Sequence, residues 1–331
     1  MYITTIDNNM TITIHCELTE NEQKVMEGFY FWLDGVIGCI LAMLGIIVNF
    51  LSIYILTSKK DLRNRSTYLL LGLLVAQNVF LLTRIINSFY FDFNWRCLAV
   101  LIPYIVYPIE KVSLTSSVFL TVCLAHQGYS VICDFDKSSQ ISFNQKICRK
   151  RTIQYILVSI ITSVLFNIPR CFCYEVVKEE DGFYKVSSLP LRKNFHYVVF
   201  YENFISNILT VFAPITMLIF FNWSIYLFVV EKRQEIELWN MDVQIKKQSK
   251  NHSKTLIIII VIFIICHLPR CFLKFYDGFY DPLGIKIVGS LERVLLILHS
   301  FSNTGIYLIK NIPFRSYYFH SVQNLWYLCR H

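Results

Sequence analysis

The sequence predicts an all-α membrane protein, a bundle of seven transmembrane helices with its N-terminus outside, and three observations carry that prediction. First, 55% of the 331 residues are hydrophobic and 16% are charged, against about 25% charged in soluble globular domains. Second, the apolar residues fall in seven blocks, each long enough to supply the roughly 20 residues that span a hydrocarbon core. Third, lysine and arginine gather at one set of block ends, as they do on the cytoplasmic side of membrane proteins.

Taken in order, residues 1–28 are polar and acidic, with Glu17, Glu20, Glu22 and Glu27. They lack the basic start and short apolar run of a cleaved signal, so they are expected to form an extracellular segment, with the first span as targeting signal. Residues 29–309 hold the spans, placed at Phe29 to Leu56, Tyr68 to Tyr90, Leu98 to Val131, Ile153 to Tyr174, Phe195 to Val230, Leu256 to Phe275 and Ile285 to Ile309. The third and fifth are long enough to include helix beyond the hydrocarbon. A stretch such as Leu256 to Ile265, LIIIIVIFII, does not alternate apolar with polar residues, which excludes a barrel and leaves helices. Residues 310–331 are expected to form a short amphipathic cytoplasmic helix and tail.

Orientation follows from counting. Eighteen basic residues flank one side: Lys59, Lys60, Arg63, Arg65, Lys137, Lys146, Arg149, Lys150, Arg151, Lys232, Arg233, Lys246, Lys247, Lys250, Lys254, Lys310, Arg315 and Arg330. The other carries eight, from Lys24 and Arg96 to Lys274 and Lys286. The net charge of +8 is explained by this asymmetry, and no nucleic-acid partner is expected. Membrane lipid is the expected surrounding, and a multi-pass place in the plasma membrane the expected location. Of four Asn-x-Ser/Thr sequons, at Asn9, Asn64, Asn222 and Asn251, Asn9 is the one both outside and away from the membrane, so it is the expected glycan site.

The eleven cysteines include no CxxC pair and no histidine partner at zinc spacing; no metal or cofactor is expected, and most are read as small buried hydrophobes. Cys97 sits at the outer mouth of the third span, with Cys171 and Cys173 as available partners at the outer end of the fourth. The longest loop, Glu231 to Ser253, is too short to hold an enzyme, so function resides in the bundle. No internal repeat is present, against transporter folds built from duplicated halves; a transporter or channel is the outlying alternative.

Polar residues inside spans are costly and are functional candidates by default. They are Asp34, Asn49, Gln77, Arg84, Glu110, Lys111, His126, Arg170, Glu202, Asn222, His267, Arg270, Glu292, Arg293, His299 and Asn303. Arg170, Lys274 and Lys286 lie near span ends, where snorkelling is the alternative. Glu110 and Lys111 are adjacent, so one of them faces the bundle centre squarely; Glu110, about three turns below the outer mouth, is the expected pocket residue. Pro214 and Pro269 lie deep in the fifth and sixth spans, and Pro103 and Pro108 interrupt the outer third span; each removes a backbone hydrogen bond and permits a kink.

Asn49 in GIIVN, Pro214 in FAPITM, FIICHLP (Phe263 to Pro269), SNTGIY (Ser302 to Tyr307) and FRSYY (Phe314 to Tyr318) resemble the helix signatures of rhodopsin-like G-protein-coupled receptors. Within that family the chain is similar to invertebrate FMRFamide-type neuropeptide receptors, on SKKDLRNRSTYLLLGLL (Ser58 to Leu74), SVFLTVCL (Ser117 to Leu124), NIPRCF (Asn167 to Phe172) and LPLRKNFHYVVFY (Leu189 to Tyr201). The resemblance implies a receptor, not an enzyme, that binds an extracellular peptide and engages a heterotrimeric G protein at its inner face. Glu110, Arg84, Arg170, Glu202, Arg270 and Glu292, among the costly polar residues of the spans, are the expected ligand contacts, and the carboxylates of Glu110, Glu202 and Glu292 suit a cationic peptide. The resemblance places hinge and relay at Asn49, Gln77, Gly128, Tyr129, Pro214, His267, Pro269, Asn303 and Tyr307, and an outer disulfide at Cys97 with Cys173.

The chain departs from the family pattern in several places. The Glu-Arg-Tyr that follows the third helix reads Gln127, Gly128 and Tyr129, without the arginine that contacts the G protein. The second-helix aspartate is Gln77, which removes the anionic sodium site. The sixth-helix tryptophan position is His267, and the seventh-helix proline position is Thr304. These departures imply weak coupling, and a receptor-like protein with little or no G-protein activation is the alternative reading. A retinal protein is discounted, since no lysine lies between Lys286 and Lys310. An amine receptor is disfavoured because glutamate replaces the third-helix aspartate at position 110.

Overall fold

A computed structural model of the chain describes residues 2–6, 12–16, 20–59, 62, 65–133, 145–180, 182–238, 257–269, 282–310 and 312–330. Five of its helices are long and apolar enough to cross a membrane: α1 Glu27–Ser58, α2 Thr67–Phe91, α3 Ile102–Ser130, α4 Lys150–Phe172 and α5 Tyr197–Phe228. The apolar helix α6, Ile257–Pro269, is the described part of the sixth span. Helix α7, Pro282–Lys310, carries more charge along its outer half and contains the seventh span. Helix α8, Ile312–Arg330, follows almost at once. The fold is the expected all-helical seven-span bundle, and the chain is a multi-pass membrane protein.

The membrane-facing side chains explain the composition. Phe50, Tyr54, Leu165 and Phe220 are all more than half exposed on their helices, a cost in water but none in lipid. The interior is smaller and polar-rich, as bundles in lipid are. One apolar cluster joins the inner halves of α1, α2 and α3 to α8 through Ile55, Leu69, Leu73, Leu120, Phe314 and Tyr318. Phe314 and Tyr318 are four apart, so they share one face of α8 and bury it, while Phe319 and Val322 stay exposed. A second cluster packs α3, α5, α6 and α7 through Val118, Leu218, Phe263 and Ile306.

The prolines act locally, as their chemistry requires. The residue before Pro108, Tyr107, donates its amide to the Ile102 carbonyl, and the residue before Pro214, Ala213, donates to Ile208. Both are i to i−5 bonds, so the helix widens by one π turn just ahead of each ring and avoids the carbonyl that the ring would strike. Pro269 ends the described part of α6.

The structure adds strands that the sequence reading lacks. Strands β1 (Tyr2–Ile6) and β2 (Ile12–Cys16) form an antiparallel hairpin at the N-terminus. Strands β3 (Tyr174–Lys178) and β4 (Tyr184–Ser188) form a second after α4, with Gly182 at φ +83° in its turn. Tyr174, placed at the end of the fourth span, therefore starts a strand. Val186 of β4 donates its amide to the Tyr90 hydroxyl at the outer end of α2, 3.1 Å away, which ties the hairpin over the bundle. Of the outermost residues assigned to the third span, Leu98 ends a short 3-10 helix, Arg96–Leu98, and Ala99 and Val100 form a turn, the chain reversing after Asn94, whose φ of 56° is left-handed.

Helix α1 approaches α2 and α7 closely at Gly45. A Cβ there would lie 2.7 Å from Phe301 Cδ1 and 2.9 Å from Leu81 Cδ1. Gly45→Ala is expected to lower stability by about 1 to 3 kcal/mol through overpacking, read as a fall in the thermal midpoint of the solubilised protein. An unchanged midpoint would mean that the ring and the leucine give way freely.

Candidate functional site

A cavity of about 530 Å³ opens at the outer end of the bundle, walled by α1, α2, α3, α4, α5 and α7, and bordered by β3 and β4. Half of its lining residues are charged, because several of the costly intramembrane residues converge there. At its floor Asn87 of α2 donates to Glu110 of α3. Lys111 Nζ lies 3.0 Å from the other carboxylate oxygen, and Arg84 lies 3.7 Å away. Glu110 is 4% exposed, so this is a buried carboxylate shared by two cations, a state that low dielectric permits only with such partners. Lys111 also lines the cavity. Although it points to another face than Glu110, its long stem brings the ammonium back to the Glu110 carboxylate.

On the α1 and α7 side, Arg293 forms a two-pronged ion pair with Asp34, and Ser290 donates to the same carboxylate at 2.7 Å. Asp92, just past the end of α2, packs against this pair; a Cβ built on Gly35 would fall 2.9 Å from the Asp92 Cβ. Burial first, and then the neighbouring Asp34 carboxylate, holds the Asp92 carboxyl above the usual carboxylate range.

On the α4 and α5 side, Arg170 does not snorkel. It is 2% exposed and donates to Asn167 at 2.5 Å and to Ser206 at 2.8 Å, with Glu202 at 3.8 Å. Phe166 and Tyr201 each present a ring 5.5 Å from its guanidinium. Asn167 in turn donates to Thr115 of α3 at 3.2 Å. The planar fork holds Asn167 and Ser206 through two separate nitrogens, a spacing that a single ammonium nitrogen does not reproduce. Arg170→Lys is therefore expected to cost about 2 kcal/mol, measured as thermal stability; a wild-type midpoint would reduce Arg170 to a simple positive charge.

Above it, Arg192 lies over the Tyr174 ring at 4.8 Å, and Tyr174 meets Tyr107 edge to face at 4.9 Å.

Glu110, Arg84, Arg170, Glu202 and Glu292 thus all line one cavity, whereas Arg270 and Asn9 lie outside the described residues. Asp34, Lys111 and Arg293 line the cavity too, beyond the expected contacts, and their cost in a span marks them in the sequence. Asn87, Asp92, Tyr107, Tyr174 and Arg192 also line it and carry no such mark, since they sit on common helix and loop positions. Nor is the cavity acidic: Asp34, Asp92, Glu110, Glu202 and Glu292 are balanced by Arg84, Lys111, Arg170, Arg192 and Arg293.

The Cys97 to Cys173 bridge is not formed; both thiols are free. Cys173 is buried beneath the hairpin with its sulfur 3.0 Å from the Tyr197 hydroxyl, while Cys97 sits exposed in a separate turn.

Deeper in the bundle, Asn49 of α1 donates to the Ser300 carbonyl of α7 at 3.0 Å and accepts from Thr304 at 3.1 Å, with Ser52 3.3 Å from the Thr304 hydroxyl. Gln77 is fully buried, and neither atom of its amide has a partner among the described residues; the Asn303 amide nitrogen is in the same condition. His267 stacks on Phe263 at 4.2 Å and meets His299 of α7 edge on at 4.7 Å. Tyr307 packs near Phe314 of α8 at 6.2 Å. At the inner end of α3, Gly128 is buried, and Tyr129 stacks on Phe221 of α5 at 5.7 Å.

The comparisons with known proteins agree with this arrangement. A family model described as 7 transmembrane receptor (rhodopsin family) matches residues 48–307. The FMRFamide receptor of Drosophila melanogaster is 26% identical over 330 residues, covering 94% of this chain. The chain spans 57% of that relative's length.

Proposed function

Since the chain belongs to the rhodopsin family of seven-transmembrane receptors, we propose that it binds an extracellular peptide of FMRFamide-like type in its outer cavity and signals across the plasma membrane to a heterotrimeric G protein. The observation that carries the reading is the convergence of Arg84, Glu110, Arg170, Glu202 and Glu292 on one outward-opening cavity of about 530 Å³. That volume is in the range of ligand sites, and its charged walls can grip both side chains and backbone of a short peptide. The similarity to an FMRFamide receptor supplies the first ligands to try. Binding would favour one of two helix packings, with Pro269 and the His267 and His299 contact as the parts that shift.

A second reading rests on Gly128: the chain binds ligand and activates a G protein weakly, because glycine offers neither a latch to the inactive packing nor a donor to the partner. Cells expressing the chain, exposed to amidated Arg-Phe peptides, test both. Saturable surface binding with nucleotide exchange supports the first reading, and binding without exchange supports the second. No binding by a chain that reaches the surface would overturn the peptide assignment.

A further inference from the structure

The ten charges of the cavity balance as a set but not by position. The wall formed by α1, α7 and the end of α2 holds Asp34, Asp92 and Glu292 against Arg293, three acids to one base. The opposite side, from α3 to α5 and the hairpin, holds Lys111, Arg170 and Arg192 against Glu110 and Glu202, three bases to two acids, with Arg84 of α2 between the two walls and 3.7 Å from Glu110. Neither Asp92 nor Arg192 has an oppositely charged group within ion-pair distance among the described residues. Asp34 is taken up by Arg293 and Ser290, Glu110 by Lys111 and Arg84, and Glu202 by Arg170. The unmatched carboxylate thus stands on one wall and the unmatched guanidinium on the other. Arg192 is also prepared for an anion. The Tyr174 ring covers the face of its guanidinium at 4.8 Å, and stacking of that kind leaves the in-plane N–H donors open to a carboxylate in two-pronged fashion.

We infer that the cavity recognises a dipolar peptide, whose basic group goes to Asp92 on the α1 and α7 wall and whose carboxylate goes to Arg192 beside Tyr174. This rests on the peptide-receptor reading and sharpens it: a purely cationic ligand would leave Arg192 unanswered and would bring its excess charge against Arg84 and Lys111. The carboxylate is supplied either by an acidic side chain upstream of the basic residue or by a free C-terminus.

The test uses the full-length chain in lipid nanodiscs and a set of peptide probes of one length. The first probes end in Arg-Phe-amide and carry either Asp or Asn, scanned through the positions upstream of the arginine; a further probe ends in Arg-Phe with a free carboxyl. The expected result is that one carboxylate-bearing probe, side-chain or terminal, binds about tenfold more tightly than its neutral counterpart. That ratio is expected to fall to about one in Arg192→Gln, whereas a merely structural role for Arg192 would weaken both members of the pair and preserve the ratio. Asp92→Asn is expected to weaken every probe that carries the arginine. Equal affinity of charged and neutral probes throughout, or a preference that survives Arg192→Gln, would overturn the inference and leave the receptor reading standing. If no probe binds a folded chain, both fail together.

Discussion

Glu110→Gln is expected to destabilise the outer half of the bundle by about 3 to 5 kcal/mol and to weaken peptide binding about 30-fold or more. The glutamine keeps the shape of the side chain but discharges the carboxylate shared by Lys111 at 3.0 Å and Arg84 at 3.7 Å. Both cations then lose that shared carboxylate, in a site where Glu110 itself is 4% exposed. Thermal unfolding of the solubilised protein and radioligand binding would read the two effects separately. Removing one of the two cations in the same chain, as Arg84→Gln with Glu110→Gln, is expected to recover part of the stability without recovering affinity. Wild-type stability and affinity in the single variant would show that Glu110 neither holds the floor together nor shapes the pocket.

The second large effect is expected at the opposite end. Gly128→Arg, alone and together with Gln127→Glu, should raise ligand-stimulated nucleotide exchange about tenfold or more if a single charge-assisted contact to the G protein is what the chain lacks. Gly128 is buried on the inner part of α3, near the stack of Tyr129 on Phe221 at 5.7 Å, so the new guanidinium must run along the helix toward the cytoplasm. Gln127 is buried too, with an amide oxygen that has no partner among the described residues. A glutamate there would give the arginine an intrahelical partner, and the double variant should show lower exchange without ligand than the single one. Strong exchange by the natural chain, with no gain from the arginine, would mean that the inner surface engages its partner through other residues, such as the basic run Arg149 to Arg151.

The spans were legible because a run such as Leu256 to Ile265 has one explanation in terms of burial and hydrogen bonding: a helix whose backbone bonds close on themselves in lipid. The hairpin after α4 was not. The YEVVK and YKVSS segments are short, and the register between them depends on a turn around Gly182 and on the Val186 contact to Tyr90, which is 96 residues distant in sequence. The site was half legible for a related reason. The desolvation cost of a charge in a span flags Asp34, Glu110 and Arg293 as residues that must be partnered, but local sequence carries no record of which partner is used. Asp34 and Arg293 meet across 259 positions. Arg192 and Asp92 lie outside the apolar blocks, where a charge costs little, so nothing in the sequence separates them from ordinary loop residues.

Thr304 has a mechanical consequence. A proline at that position would release the Ser300 carbonyl from its helical bond; threonine keeps its amide hydrogen, and α7 runs without a break from Pro282 to Lys310. The threonine hydroxyl and the Ser300 carbonyl are moreover both fastened to Asn49. The inner part of α7 is thereby a stiff rod riveted to α1, with no soft joint of its own. Deuterium should enter the backbone amides from Ser300 to Thr304 among the last of the whole chain. Any displacement of that rod on activation must be carried by the two helices as a unit, pivoting from their outer ends where Asp34 and Arg293 are joined.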